Sequence, residues 1–127
     1  MRSTRTHAAV AAAALCLPLS LAAQTAAPDF AQLPVPKASE LTERLNGIWT
    51  TRLANGVGWR MDFRDNGFMY MDISNGARDT AKWRTEDGGV CFDFRQFPSS
   101  CGPWRIAGDR LYLKRDSGEV LTLQKQP

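Results

Sequence analysis

From Gly47 onward, apolar and polar side chains alternate one for one, in segments parted by glycine-containing turns. In the segment 57–64, Val57, Trp59, Met61 and Phe63 take the odd positions, and Arg60, Asp62 and Arg64 take even ones. Successive side chains of a strand point to opposite faces, so this segment reads as a half-buried strand with Trp59, Met61 and Phe63 facing in. The same parity sets Ala81 and Trp83 inward against Lys82 and Arg84. It sets Val90, Phe92 and Phe94 inward against Cys91, Asp93 and Arg95, and Trp104 and Ile106 inward against Cys101, Pro103 and Arg105. Leu111, Leu113, Leu121 and Leu123 complete the inward set. The turns are Asn55-Gly56, Asn66-Gly67, Asn75-Gly76, Asp87-Gly88-Gly89, Gly108-Asp109 and Ser117-Gly118. Asn-Gly and Asp-Gly supply positive φ at hairpin turns, so consecutive strands should be antiparallel. The pattern predicts strands at 47–53, 57–64, 68–74, 78–85, 90–94, 101–106, 110–115 and 119–124. Eight meandering strands close most simply into a small all-β, up-and-down barrel without exposed edges; an open sheet or a two-sheet sandwich is the alternative.

Before the strands, SELTERLN at 39–46 predicts a short helix. Ser39 is placed to cap it, Glu40 lies in the first turn where the helix dipole favours negative charge, and Leu41 and Leu45 share one face. Residues 24–36 are Ala/Pro-rich without apolar periodicity and read as a tether to a domain at 37–127. Residues 1–23 have the three parts of a secretory signal peptide: Arg2 and Arg5 in a short basic start, an apolar run Ala8–Leu21, then Ala22 and Ala23 before the cleavage point. The apolar run is interrupted by Pro18 and falls short of the roughly 20 residues of a membrane-spanning helix. The expected address is therefore the periplasm, or the medium beyond it, with no membrane insertion after cleavage.

The stretch Asn46-Gly47-Ile48-Trp49 follows the helix and opens the first strand. A Gly-x-Trp in that place, ahead of an antiparallel barrel, resembles the lipocalin and wider calycin families. The resemblance implies that Trp49 plugs the closed end of the barrel beneath a ligand cavity, with Gly47 allowing close approach. Trp83, Cys91, Cys101 and Gly108-Asp109-Arg110-Leu111 resemble the pattern of small exported bacterial domains of lipocalin-like build. The barrel region is much shorter than a lipocalin and lacks that family's second and third motifs, so the resemblance concerns architecture and carries no ligand with it.

Charge changes this picture little. Cleavage after Ala23 removes Arg2 and Arg5, leaving 14 of the 16 Lys and Arg against 13 acids. A near-neutral surface offers no electrostatic case for a nucleic-acid or membrane partner. Cysteine changes it more. Cys91 and Cys101 share parity with the charged positions on neighbouring strands, so they can pair across one outward face. Export favours their oxidation, and closing so short a loop contributes about 2.7 kcal/mol in the chain-entropy account. A domain this small gains much from such a staple.

Candidate chemistry is sparse. His7, the one histidine, lies in the signal segment. The processed chain would thus have no Ser-His or Cys-His pair and no imidazole for a metal, and neither a metal nor a cofactor is expected. Asp62, Asp72, Asp79, Glu86 and Asp93 read as solvated strand faces and turns, Asp72 being the best candidate acid were the chain an enzyme. Phe68–Ile73 is apolar on both faces, Phe68, Tyr70 and Asp72 on one and Met69, Met71 and Ile73 on the other. One face belongs to the core, and the helix and tether are expected to cover the other. Bulky side chains on short strands favour a filled interior, leaving the barrel mouth or its rim for recognition. The expectation is a monomeric, non-enzymatic binding domain for a small apolar or aromatic ligand, with Trp59, Tyr70, Trp83 and Trp104 as ligand-binding residues. The alternative is an inhibitor or immunity-type protein of the envelope that docks a protein partner through the Gln96-Phe97-Pro98 tip.

Overall fold

A computed structural model describes residues 28–127. The expected signal segment lies outside the described residues. The strands are β1 Gly47–Arg52, β2 Gly58–Phe63, β3 Phe68–Ile73, β4 Arg78–Glu86, β5 Gly89–Phe94, β6 Ser100–Ala107, β7 Arg110–Lys114 and β8 Val120–Lys125, each within one residue of the limits that alternation predicts. Each pairs antiparallel with the next, and β8 returns to β1 to close the barrel. Closure rests on Trp49 opposite Lys125 and Thr50 opposite Gln124. Beside that short ladder, Thr51 Oγ1 donates to the Thr122 carbonyl at 2.8 Å and the Gln126 N–H donates to the Ile48 carbonyl at 2.8 Å.

The turns depart in kind from the expected hairpin type. Among the described residues every positive φ belongs to glycine, and none to the asparagine before it. Gly56, Gly67 and Gly76 instead follow a tight turn, each donating its N–H to the carbonyl three residues back, in Leu53, Arg64 and Ile73. The asparagines act through their side chains. Oδ1 of Asn55, Asn66 and Asn75 accepts the N–H of Val57, Phe68 and Ala77 at 3.0, 3.1 and 2.9 Å. Asn is favoured here because its carboxamide mimics a backbone acceptor.

The helix α1, Ala38–Leu45, closes one end. Leu41 and Leu45, both fully buried, insert into the barrel from that end, and Trp49 Nε1 donates to the Leu45 carbonyl at 3.0 Å. Ser39 is not its cap, a correction to the expectation: Lys37 occupies the cap position without a side-chain bond, and the Ala38 N–H donates to Asp87 Oδ1 of the β4–β5 turn at 2.9 Å. An acceptor from the barrel does the cap's work and docks the helix at the same time. At the other end of α1, Arg44 Nη1 donates to the Gly108 carbonyl at 2.7 Å. Residues 30–36 are fastened to the barrel as well, so this half of the expected tether is no free spacer. Phe30 is buried beneath the Arg105 guanidinium, 4.8 Å from its ring centre, and the Gly88 N–H donates to the Pro36 carbonyl at 2.8 Å.

Cys91 and Cys101 stand directly opposite in the β5–β6 register and form a disulfide. Met69 and Met71 are buried, so the core face of β3 is the methionine face. The opposite face corrects the expectation that helix and tether would cover it. α1 packs against β4 and β5, because its two leucines enter the barrel end instead of lying along its wall, and Tyr70 stays 39% exposed. Among the described residues no helix is long and apolar enough to cross a membrane.

Candidate functional site

The filling of the barrel is uneven along its axis. Near α1 the interior is solid: Trp49, Phe63, Met69, Leu111 and Leu123 are buried, and Trp104 meets Phe63 edge-on at 6.2 Å. Towards the other end, where the β1–β2, β3–β4, β5–β6 and β7–β8 turns gather, the side chains leave a cavity of about 450 Å³. Its walls are Trp59 and Met61 of β2, Met71 and Ile73 of β3, Phe92 and Phe94 of β5, Trp104 of β6 and Leu113 of β7. Phe97 and Pro98 stand over it from the β5–β6 turn, and Lys114, Arg115 and Asp116 form part of its rim. Gly102 also lines it, and the missing side chain there is part of why space remains.

Two carboxylates hold the turns around this mouth. Asp79 corrects the expectation of a solvated strand acid. It shares the inward parity of Ala81 and Trp83, and it is 8% exposed. Its Oδ2 accepts the main-chain N–H groups of Gln96 at 3.0 Å and Phe97 at 2.8 Å, and its Oδ1 accepts that of Thr80 at 2.8 Å. Burial pushes this carboxyl up. The N–H groups of Phe97, Gln96 and Thr80, with the positive charge of Arg95, outweigh that and hold it below the ordinary value of 3.8. Glu119 works likewise on the other side. Oε1 accepts the Ala54 N–H of the β1–β2 turn and Oε2 the Arg115 Nη1–H of the β7–β8 turn, each at 2.8 Å. These two bonds, the Ala54 one foremost, hold Glu119 below its usual 4.5 against the opposing effect of burial. The Arg115 guanidinium so fixed lies 5.4 Å from the centre of the Trp59 ring.

Of the four expected ligand-binding residues, Trp59 and Trp104 come together at the cavity and the other two do not. Trp83 faces inward nearer the closed end. Its Nε1–H lies 3.2 Å from the carbonyl oxygens of both Arg64 and Phe68, and its ring stands edge-on to Phe63 at 5.3 Å. Tyr70 points outward from β3, because it shares parity with Asp72 and not with Met71. The expected protein-binding tip divides. Gln96 and Pro98 are exposed, whereas Phe97 turns in, half-buried, with its ring 5.6 Å from that of Phe94. Gly47 and Trp49 sit at the closed end. Gly47 takes φ +122, and a side chain there would meet Lys125, whose Nζ lies 5.9 Å from the Trp49 ring centre. Reading by residue type missed Met71, Ile73 and Leu113 as cavity walls, although parity had already turned Leu113 inward. It also missed Asp79, for which a signal existed: an acid at an inward position of an otherwise apolar face. Among the described residues Glu86, Cys91 and Cys101 bring ligand-type atoms within 4.8 Å of one another, but both sulfurs belong to the disulfide and offer no thiolate.

Comparison of the chain with protein-family models, with curated proteins and with solved structures returned no match.

Proposed function

We propose that this chain is a non-enzymatic binding domain that takes a small apolar or aromatic ligand into the open mouth of its barrel, in the manner of a much-reduced lipocalin. The observation that carries the reading is the cavity itself. It is large enough for a small ligand, walled by aromatic and aliphatic side chains, and framed by turns that Asp79 and Glu119 hold in place. A pocket of this volume with mainly apolar and aromatic walls is of the kind that small ligands occupy. Restraint of Phe97 and Arg115 before binding lowers the ordering cost of association. The disulfide is compatible with an oxidising compartment. Together with the basic-then-apolar start of the sequence, it supports export to the periplasm or beyond.

The test is titration with the fluorescent probe anilinonaphthalene sulfonate, followed by quenching of tryptophan emission. Gly102→Leu is the discriminating variant. A Cβ at Gly102 meets only Leu113 at 3.6 Å and the Lys114 carbonyl at 3.7 Å, ordinary contacts, so the added side chain fills the mouth without clashing at its base. Affinity should fall at least about tenfold, some 1.4 kcal/mol, while the melting temperature holds or rises. Unchanged affinity in Gly102→Leu places the probe elsewhere and removes the mouth as the site.

A further inference from the structure

The outer wall of β2–β4 carries a second concavity, of about 780 Å³, whose lining shares only Met71 with that of the mouth. On this face the register sets Arg60, Asp72 and Arg78 in one row across the three strands, and Asp62, Tyr70 and Thr80 in the next. Arg64 and Arg95 border it. The charges are layered. Asp62 and Asp72 have side chains 15% and 40% exposed, and Asp79 is buried. The arginine side chains beside them are more open, 46% for Arg60, 57% for Arg64 and 82% for Arg78. What an approaching partner meets is therefore a cationic layer over a carboxylate floor.

The floor orients that layer without using it up. Asp72 is shared, its Oδ2 3.6 Å from Arg60 Nη1 and its Oδ1 2.9 Å from Arg78 Nε, while the Arg78 side chain stays open to solvent. Arg64 reaches Asp62 at 3.1 Å and lies 4.9 Å from the centre of the exposed Tyr70 ring. Arg95 is in no ion pair among the described residues. Open guanidinium forks match carboxylates in pairs of parallel hydrogen bonds. Arginine and tyrosine are also the side chains enriched where protein interfaces concentrate their binding energy.

We propose that this face, centred on Tyr70 and ringed by Arg60, Arg64, Arg78 and Arg95, docks an extended acidic segment of a protein partner. Spacing supports an extended segment over a compact anion. Arg60 and Arg64 stand four residues apart along the β2 segment, about 13 Å, and same-side residues of an extended chain recur about every 7 Å, so acidic side chains four apart match them. A single phosphate cannot span Arg60 and Arg64, and a polyphosphate backbone would meet Asp62 and Asp72 between the arginines.

Fluorescence anisotropy with a fluorescein-labelled oligoglutamate peptide containing tyrosine tests this. Binding should weaken as salt rises, and Arg78→Gln and Arg95→Gln should each lower affinity about tenfold, the loss of a charge-assisted contact. Both side chains are exposed, so folding is not at issue. Arg110→Gln, an exposed cation on β7, should leave affinity unchanged, and Gly102→Leu should too, because the mouth is a different site. Absence of binding at low salt overturns the proposal. So does an equal loss in Arg110→Gln, which marks general attraction, or displacement of the peptide by inorganic phosphate at matching concentration, which marks a small-anion site.

Discussion

Asp79 shows how much one side chain can decide. An acid at an inward position of a strand is ordinarily a fault, since an unpaired buried carboxylate is costly. Here the carboxylate is supplied with main-chain N–H donors by the turn that carries Phe97, and that turn is thereby drawn over the cavity. Asp79→Asn keeps the shape but loses the charge and one acceptor oxygen. We expect it to lower the melting temperature and weaken probe binding together, while Asp72→Asn on the outer face changes neither; calorimetry and probe titration on both variants check this. The pH dependence has a definite sign. Asp79 and Glu119 both titrate below their ordinary values of 3.8 and 4.5. Each therefore contributes stability that is present above its unfolded value and lost as pH falls through its folded value. The melting temperature should be level above about pH 5 and fall on acidification below about pH 4, less steeply in Asp79→Asn. A fall that begins near neutrality would contradict this.

At the scale of elements, the strands were legible because half-buried strands write their two faces into alternate residues, and Trp59-Arg60-Met61-Asp62-Phe63 is such a record. What alternation cannot encode is which neighbour lies over an outer face. Phe68 and Tyr70 suggested a covered surface, yet α1 spends its two leucines on the barrel end, and the tyrosine face is left to solvent. Capping was misread for a related reason. Ser39 satisfied the local rule, but the acceptor that the helix uses, Asp87, is 49 residues away in sequence. The Gln96-Phe97-Pro98 stretch was read as an outward tip because it lies in the hairpin that the cysteine pair closes; the bonds of Asp79 to the Gln96 and Phe97 N–H groups go with a Phe97 that turns inward. The disulfide at the hairpin's base was legible from the expected export together with parity. Cys91→Ser with Cys101→Ser should lower unfolding stability by about 2.7 kcal/mol in denaturant titration, the loop-closure contribution. Native tryptophan emission should survive in the variant, because the hydrophobic cluster that holds the tryptophans does not include either cysteine.

For the whole molecule, closure of eight strands explains two properties at once. It removes every sheet edge, and it sets an interior only just wide enough for side chains, so small choices of residue decide where it is full. Trp49, Phe63 and Leu45 fill the helix end, whereas Gly102 leaves room at the other. The barrel could be read from the pattern because one face of each strand must be buried. The hollow could not, because volume is a sum over strands distant in sequence, and aromatic residues look alike whether they fill space or line it. Trp83 and Trp104 share inward parity, yet of the two only Trp104 lines the cavity.

The central claim, that the open mouth is the ligand site, is tested most directly by the indole N–H signals of the four tryptophans in a nitrogen-15 correlation spectrum during titration with anilinonaphthalene sulfonate. The signals of Trp59 and Trp104 should shift in proportion to occupancy while those of Trp49 and Trp83 stay in place. Shifts led by Trp83, or no indole shift while the probe binds, would contradict it.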